Sequence, residues 1–274
     1  MKIVRFRSPG GEVLYGAADP DVPDRATVIY GDIFGDIELS GRVERIEFIL
    51  PPLSPPNIIA LGLNYGKHAE EIAIRKPESP VTFLKATTSI VGHGAPIVLP
   101  SAGPDEVDYE AELAVIIGKK AKNVSRADAS NYILGYTCAN DVSARDWQWR
   151  KQQEQWARGK SFDTFCPIGP YLVTKDEVEN AGTLTIQAIL NGEIMQDSNT
   201  ADMIFDIPAI ISHISASLTL LPGTVILTGT PEGVGYTRVP PVFLNEGDRV
   251  TISIEHIGEL TNPVMREYPL TSLR

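Results

Sequence analysis

The chain has 274 residues, 43% of them hydrophobic and 22% charged, with a formal net charge of −11. That length accommodates one large domain or a main domain with a small appendage, and the composition is that of an ordinary soluble globular protein. The negative charge disfavours a nucleic-acid partner and an anionic membrane surface, and no apolar run approaches the ~20 residues that span a bilayer.

In chain order, "KIVRFRS" alternates, "PGG" turns and "EVLYGAA" alternates again, which is a hairpin pattern. Residues 1–50 therefore read as a small N-terminal β domain. Pro51, Pro52, Pro55 and Pro56 cannot sit inside a ladder and mark a linker. A main domain, 57–274, follows. Residues 58–63 form a short apolar strand, and "YGKHAEEIAIRK" has helical character ending before Pro77. "VTFLKATTSIVGHGAPIVLP" reads as strand, loop, strand. "DYEAELAVIIGKK" reads as a buried strand ending at Gly118. "SRADASNYILG" carries a capping-box pattern, Ser125 with Asp128, and points to a helix capped by Gly135. "YTCAND" resumes as a strand, and "RDWQWRKQQEQWARGKSFDTFCPIGP" is a polar, aromatic-rich crossing, partly helical.

Further on, "TLTIQAILNGE" is an alternating strand that stops at the turn signal Asn191-Gly192. "DIPAIISHISASLTLLPG" is an amphipathic helix with Ile207, Ile210, Ile211 and Ile214 on one stripe. "TVILTGTPEGVG" runs from a strand into a Gly-rich loop, and "GDRVTISIEHIGEL" closes as a strand pair. Strands outnumber helices, so the fold class is α+β, mainly β.

The N-terminus has arginines where a signal peptide carries its apolar stretch, and Cys138 and Cys166 are too few for a disulfide framework. Reduced thiols in the cytoplasm are the default. Cys166 has no paired base in sequence, so a nucleophile role is not expected. His93, His213 and His256 have no acidic or cysteine partners at ligand spacing and read as surface or structural. Trp147, Trp149 and Trp156 read as packing residues.

One feature conflicts with a strand headed for a core. Glu110 and Glu112 are two apart and share a face with Ala114 and Ile116. Like charges so placed repel unless the face is solvated, a Lys or Arg matches them, or a divalent cation is held. Asp141, just after "YTCAN", can converge on a neighbouring strand. Three carboxylates without His or Cys suit a hard ion, Mg²⁺ or Mn²⁺, rather than zinc.

Six segments taken together resemble the fumarylacetoacetate hydrolase family: "ALGLNYGKHAEE", "VTFLKATTSIVG", "VDYEAELAVIIGK", "GYTCANDVSARDWQ", "GKSFDTFCPIGP" and "LPGTVILTGTPEGVG". They stand in the family's order over about residues 57–235. One departure is "LKATTS", where many members have Pro after Lys85. The resemblance implies a mixed β-roll or sandwich, a divalent metal and a frequent homodimer acting on a small keto acid. It implies Glu110, Glu112 and Asp141 as metal ligands, Lys160 beside the metal, and His68 with Glu71 as a water-activating pair. It also places Arg145 and Gln148 beside the substrate. Lys85, Tyr65 and Thr230, which lie in the matching segments, are expected to bind substrate as well. Arg145 can equally pair with Asp146 or another structural acid.

His68 and Glu71 are three apart and share a helix face, and Gly66 could hinge a lid that carries His68 over the metal only when substrate binds. The expected activity is Mg²⁺-dependent hydrolysis of a C–C bond in an acylpyruvate-like or fumarylacetoacetate-like 2-oxo acid through a chelated enolate. The alternatives are an isomerase, tautomerase or decarboxylase of the 2-hydroxyhepta-2,4-diene-1,7-dioate or oxaloacetate type using the same site, and a non-catalytic metal-binding relative.

Overall fold

The computed structural model describes residues 1–267 except 20, 103 and 152, so residues 268–274 of the main-domain range lie outside the described residues. Two sheets carry the architecture. In the longer one the strands run in the order Ile37–Arg45, Arg25–Gly31, Val13–Ala18, Lys2–Arg7, Cys166–Thr174, Ile133–Asn140, Ala111–Ile117, Val225–Leu227, Ile58–Leu61 and Thr82–Lys85. The second sheet runs Glu193–Asn199, Thr185–Leu190, Arg249–Ile254, Gly258–Arg266 and Ile97–Leu99. With few helices among the described residues, the fold is α+β and mainly β.

Ala111–Ile117 is the central strand, and every residue in it is buried. Leu113, Val115 and Ile117 pack in one core with Ile186, Ala188, Ile252 and Leu260 of the second sheet. Ala114 and Ile116 point the other way, into a second core with Ile3, Ile58, Ala60, Val225 and Leu227. A strand covered on both faces reads as a continuous apolar run, which accounts for "LAVII". Glu112, on the Ala114 face, is therefore 0% exposed.

The N-terminal strands do not form a sheet of their own. Lys2 and Ile3 pair with Val173 and Leu172, so the N-terminal meander extends the main sheet. The Pro-rich stretch after it is packed, with Leu53 only 2% exposed. Two expected helices differ. The one expected over 65–76 is confined to Gly66–Glu71, because the chain turns at Ala73 with φ +53°. The one expected after Ser125 is a single turn, Ala129–Tyr132, although Ser125 Oγ does lie 2.6 Å from Asp128 Oδ2. Gly135 is not a helix cap. It lies within the strand Ile133–Asn140, where a Cβ would meet the Val173 carbonyl oxygen at 2.1 Å. Asn191 and Gly192, both at positive φ, turn the hairpin Thr185–Leu190/Glu193–Asn199 as expected. Ile207, Ile210, Ile211 and Ile214 are buried beneath the helix Ile207–Ser217, which Asp206 caps by accepting the Ala209 N–H at 2.8 Å.

Candidate active site

The ladder between Ala111–Ile117 and Ile133–Asn140 pairs Ala111 with Asn140, so Glu110 and Asp141 flank its end. The Asp141 N–H donates to the Glu110 carbonyl at 3.0 Å, and the Glu110 N–H donates to Asn140 Oδ1 at 3.0 Å. This register brings one carboxylate oxygen each from Glu110, Glu112 and Asp141 within 4.8 Å of one another, all buried.

Buried carboxylates demand counter-charge. Lys160 Nζ lies 2.7 Å from Glu110 Oε2, 2.7 Å from Asp141 Oδ2 and 2.6 Å from Ser143 Oγ. Its backbone follows the short helix Trp156–Gly159, where Gly159 is required because a Cβ would sit 2.6 Å from the Gln148 nitrogen. Lys85 Nζ bonds Asp141 Oδ1 and the Lys160 carbonyl. Arg145 Nη1 lies 2.7 Å from Glu110 Oε1 and donates to Gln148 Oε1 at 3.0 Å. Its Nε and Nη2 both donate to Asp108 Oδ2, at 3.1 and 3.0 Å, and the guanidinium covers the Tyr236 ring at 4.3 Å. The structural acid that pairs with Arg145 is thus Asp108; Asp146 instead pairs with Lys151 at 2.6 Å.

The three carboxylates are not equivalent. Burial pushes the Glu110 carboxyl up, but Lys160 and Arg145 outweigh it and hold it below the usual range. Burial, Asp141 and Glu110 together push the Glu112 carboxyl well above that range. Glu112 Oε2 accepts the Gly229 N–H at 2.6 Å, while Glu112 Oε1 is buried with no hydrogen-bond partner. Gly229, at φ +96°, lets its backbone approach so closely. Counting Asp108, four carboxylates face the three cations Lys85, Lys160 and Arg145. An orphaned carboxylate oxygen, on an acid whose ionisation its neighbours oppose, is what an oxygen-ligated dication would satisfy, so the residues fit the metal they are expected to hold.

Above this cluster lies a cavity of about 170 Å³ whose lining includes His68, Glu110, Arg145, Gln148 and Tyr236. His68 is only 5% exposed. Its Nδ1 lies 2.8 Å from Glu71 Oε2, so Nδ1 is assigned the proton and Nε2 is left as the second nitrogen. Glu71 Oε1 accepts the Gly233 N–H at 2.9 Å and lies 2.9 Å from Thr237 Oγ1. Burial pushes the Glu71 carboxyl up, but His68, Gly233 and Thr237 outweigh it and lower it. The helix is further held by Asp202, whose Oδ2 accepts the Lys67 N–H at 2.9 Å. The helix expected to act as a lid is seated beside the Gly-rich loop, held there by the Gly233 N–H, Thr237 and Asp202.

Three residues expected to contact substrate do not line this cavity. Lys85 is turned to Asp141. Thr230 Oγ1 accepts from Gln196 Nε2 at 2.9 Å. Tyr65 is 0% exposed, its hydroxyl has no partner, and burial together with Glu112 pushes the phenol well up. Conversely, Trp149 and Trp156, expected only to pack, line the cavity, with ring centroids 5.4 Å apart. Trp147 packs on Phe162 at 5.2 Å. His93 Nδ1 accepts the Thr261 N–H at 3.2 Å, and His213 and His256 are exposed. Cys138 and Cys166 are free and buried, and burial pushes the Cys166 thiol up to about 12. Sequence reasoning missed Asp108, although 108, 110 and 112 continue the same alternation. It also missed Ser143, Gln196 and Thr237, which no local pattern marks.

Residues 57–265 match the family model "Fumarylacetoacetate (FAA) hydrolase C-terminal", and residues 1–47 match "Rv2993c-like, N-terminal". The chain belongs to the fumarylacetoacetate hydrolase family. It is 40% identical to the human mitochondrial oxaloacetate tautomerase FAHD2A, over 97% of this chain and 92% of that protein. It is 49% identical to the Xenopus laevis mitochondrial oxaloacetate tautomerase fahd2, over 80% of this chain and 69% of that protein. Among solved structures it resembles a 5-carboxymethyl-2-hydroxymuconate delta-isomerase from Mycobacterium smegmatis, with TM-score 0.84 and 42% identity over 97% of this chain and 100% of that one. A 2-hydroxyhepta-2,4-diene-1,7-dioate isomerase from Mycobacterium marinum gives TM-score 0.83 and 42% identity over 97% and 99% of the two chains. These fumarylacetoacetate hydrolase relatives carry isomerase and tautomerase names, which favours the alternative activity over the expected hydrolysis. The two tautomerases are named as mitochondrial, a compartment that the cytoplasmic default does not include. No helix among the described residues is long and apolar enough to cross a membrane.

Proposed function

We propose that the chain is a divalent-metal-dependent tautomerase or isomerase of a small 2-oxo diacid. The observation that carries this reading is His68, buried on the cavity lining beside Glu110 and held at Nδ1 by Glu71. Keto–enol interconversion takes a proton from the enol oxygen and delivers one to carbon while the C=C double bond becomes C=O, with no other σ bond made or broken. One positioned proton carrier suffices, and an imidazole fixed by a carboxylate is suited to that task near neutral pH.

Glu110, Glu112 and Asp141 would hold Mg²⁺ or Mn²⁺, which supplies Lewis-acid polarisation of the substrate's chelating oxygens. Lys160 and Arg145 keep cationic charge where the substrate carboxylate and its enolate oxygen gather negative charge. Gln148, joined to Arg145 at 3.0 Å, offers its amide to the same ligand. Trp149, Trp156 and the seated helix keep bulk water from the cavity. Hydrolysis needs, besides all this, a water fixed beside a second carbonyl. It stands as the second reading because the same His68–Glu71 pair can activate water. We also take the working form to be a homodimer, which light scattering on the purified chain would check.

The test follows the ultraviolet absorbance of freshly dissolved enol-oxaloacetate with enzyme, with enzyme plus EDTA, and with buffer alone. Enzyme is expected to speed the decay, EDTA to abolish the effect and excess Mg²⁺ to restore it. An unchanged decay for both oxaloacetate and a hydroxymuconate-type diacid would end the tautomerase reading. Release of a free acid from an acylpyruvate would then favour the hydrolase.

A further inference from the structure

A single side-chain amide ties the carboxylate strand to the Gly-rich loop. The strand Val225–Leu227 pairs with Ala114–Ile116 of the central strand, not with Ala111. The Ala111 N–H, between Glu110 and Glu112, is met instead from the second sheet, where Gln196 Oε1 accepts it at 2.8 Å. Gln196 lies in the edge strand Glu193–Asn199 and is 0% exposed. Its Nε2 donates to Thr230 Oγ1 and to the Pro231 carbonyl, both at 2.9 Å, with the Glu232 carbonyl at 3.4 Å. These partners fix which end of the amide is which, since the Ala111 N–H needs the oxygen and the Pro231 carbonyl needs the nitrogen. The loop so held is the one whose Gly229 N–H bonds Glu112 and whose Gly233 N–H bonds Glu71. It lies against the same edge strand: a Cβ at Gly233 would run into the Met195 carbonyl.

We propose that Gln196 is a positioning residue that holds the Glu110–Glu112 segment and the Gly229–Gly233 loop at one separation, so that the metal-ligating acids and the His68–Glu71 pair are set together. The roles of those two groups rest on the metal-dependent tautomerase reading. Gln196 does not line the cavity, so it acts only through what it holds. Thr230 and Pro231 stand between the two glycines, and a bond to them fixes both donors at once. If the loop shifted, Glu112 Oε2 would lose the Gly229 N–H and Glu71 Oε1 would lose the Gly233 N–H together. The task needs an acceptor and a donor in one buried group. A carboxylate lacks the N–H, and a thioether lacks both. Buried networks of this kind are rigid when every member is satisfied and fail as a unit when one is removed.

The experiment compares the full chain with Gln196→Met, which removes both halves of the amide, and with Gln196→Asn, which keeps the amide but shortens its reach and so serves if the first variant does not fold. Asn262→Leu is the control. Asn262 is a buried amide of the same sheet, 2% exposed, whose Nδ2 donates to the Gly92 and Ala95 carbonyls at 2.8 Å, and none of the three lines the cavity. Two readouts are taken: Mg²⁺ affinity by calorimetry, and deuterium uptake of residues 229–235 and 66–72 in the EDTA-treated chain. Both Gln196 variants should bind Mg²⁺ about tenfold more weakly and exchange faster in both segments. Asn262→Leu should lower the melting temperature and change neither readout. Unchanged Mg²⁺ affinity in the Gln196 variants, faster exchange confined to one of the two segments, or the same changes in Asn262→Leu would overturn the proposal. If the unaltered chain bound no Mg²⁺, the metal-dependent reading alone would fall, and the exchange result would still decide the role of Gln196. Failure of enol turnover with both readouts as expected would sink only the tautomerase reading.

Discussion

Lys85, Lys160 and Arg145 are 4, 2 and 3% exposed among four carboxylates, whereas Lys67, Arg75 and Glu71, around the mouth of the same cavity, have side chains 63, 85 and 24% exposed. The floor charges sit where solvent cannot screen them, so each must have a partner or the fold suffers. The rim charges have water as an alternative partner and can change partners at little cost. The floor is built by strand register and is rigid for that reason. The rim hangs on a few hydrogen bonds from the Gly-rich loop and Asp202.

The largest effect expected from this contrast is at the floor. Lys85→Met leaves Asp141 with one partner fewer in a buried site and should cost about 3–5 kcal/mol in urea unfolding. A loss under about 1 kcal/mol would mean that the floor is wetter than its burial implies. At the junction of floor and rim, His68→Ala should lower kcat about 10²–10⁴-fold with the melting temperature little changed, since the helix is held by Glu71 and Asp202. An unaltered kcat would remove His68 from the chemistry. Glu112→Gln should act in opposite directions on stability and function. Because burial and two neighbouring acids oppose ionisation of Glu112, the amide should raise the melting temperature of the EDTA-treated chain by about 2–4 °C while weakening Mg²⁺ binding. A lower melting temperature would show that Glu112 is already paired in the free chain.

Smaller effects belong to the rim. The Glu71 carboxyl is lowered in the folded chain, so its stabilising contribution is complete above the ordinary carboxylate value near ~4.3 and fades as pH falls through the folded value. Deuterium uptake of residues 66–72, corrected for intrinsic exchange, should therefore rise only below about pH 4, and Glu71→Gln should remove that dependence. Thr237→Val should have the least effect, about 2–10-fold in kcat with Thr237→Ser restoring it, because Gly233 still donates to Glu71. A larger loss would move the Gly-rich loop from support to chemistry.

The parts of the site that were legible lie close together in sequence. That Glu110 and Glu112 share a strand face, and His68 and Glu71 a helical turn, follows from the periods 2.0 and 3.6; that His68 and Glu71 belong to the site is what the family resemblance implies. Asp108 was open to the same alternation, but an acid at a strand end is also an ordinary surface residue. Lys85, Tyr65 and Thr230 could be placed near the site by segment but not aimed, since the aim of a side chain depends on which strands flank it. Likewise the helix at 66–71 was visible by composition, while its end at Ala73 depends on a loop folded back over a cavity.

From the sequence came the mainly β class, a buried strand bearing two acids on one face and, through the family resemblance, the His–Glu pair and the three candidate metal-ligating acids. Alternation and helical spacing are local, and a buried like-charge pair stands out wherever it occurs. The tertiary structure decided that Arg145 serves Asp108 and Glu110, that Lys85 neutralises Asp141 and that two tryptophans wall the cavity. The ion pairs among them join residues 35 to 56 positions apart, as in Arg145 with Glu110 and Lys85 with Asp141. Only the sheet register selects such pairs from the many that the same charges would allow.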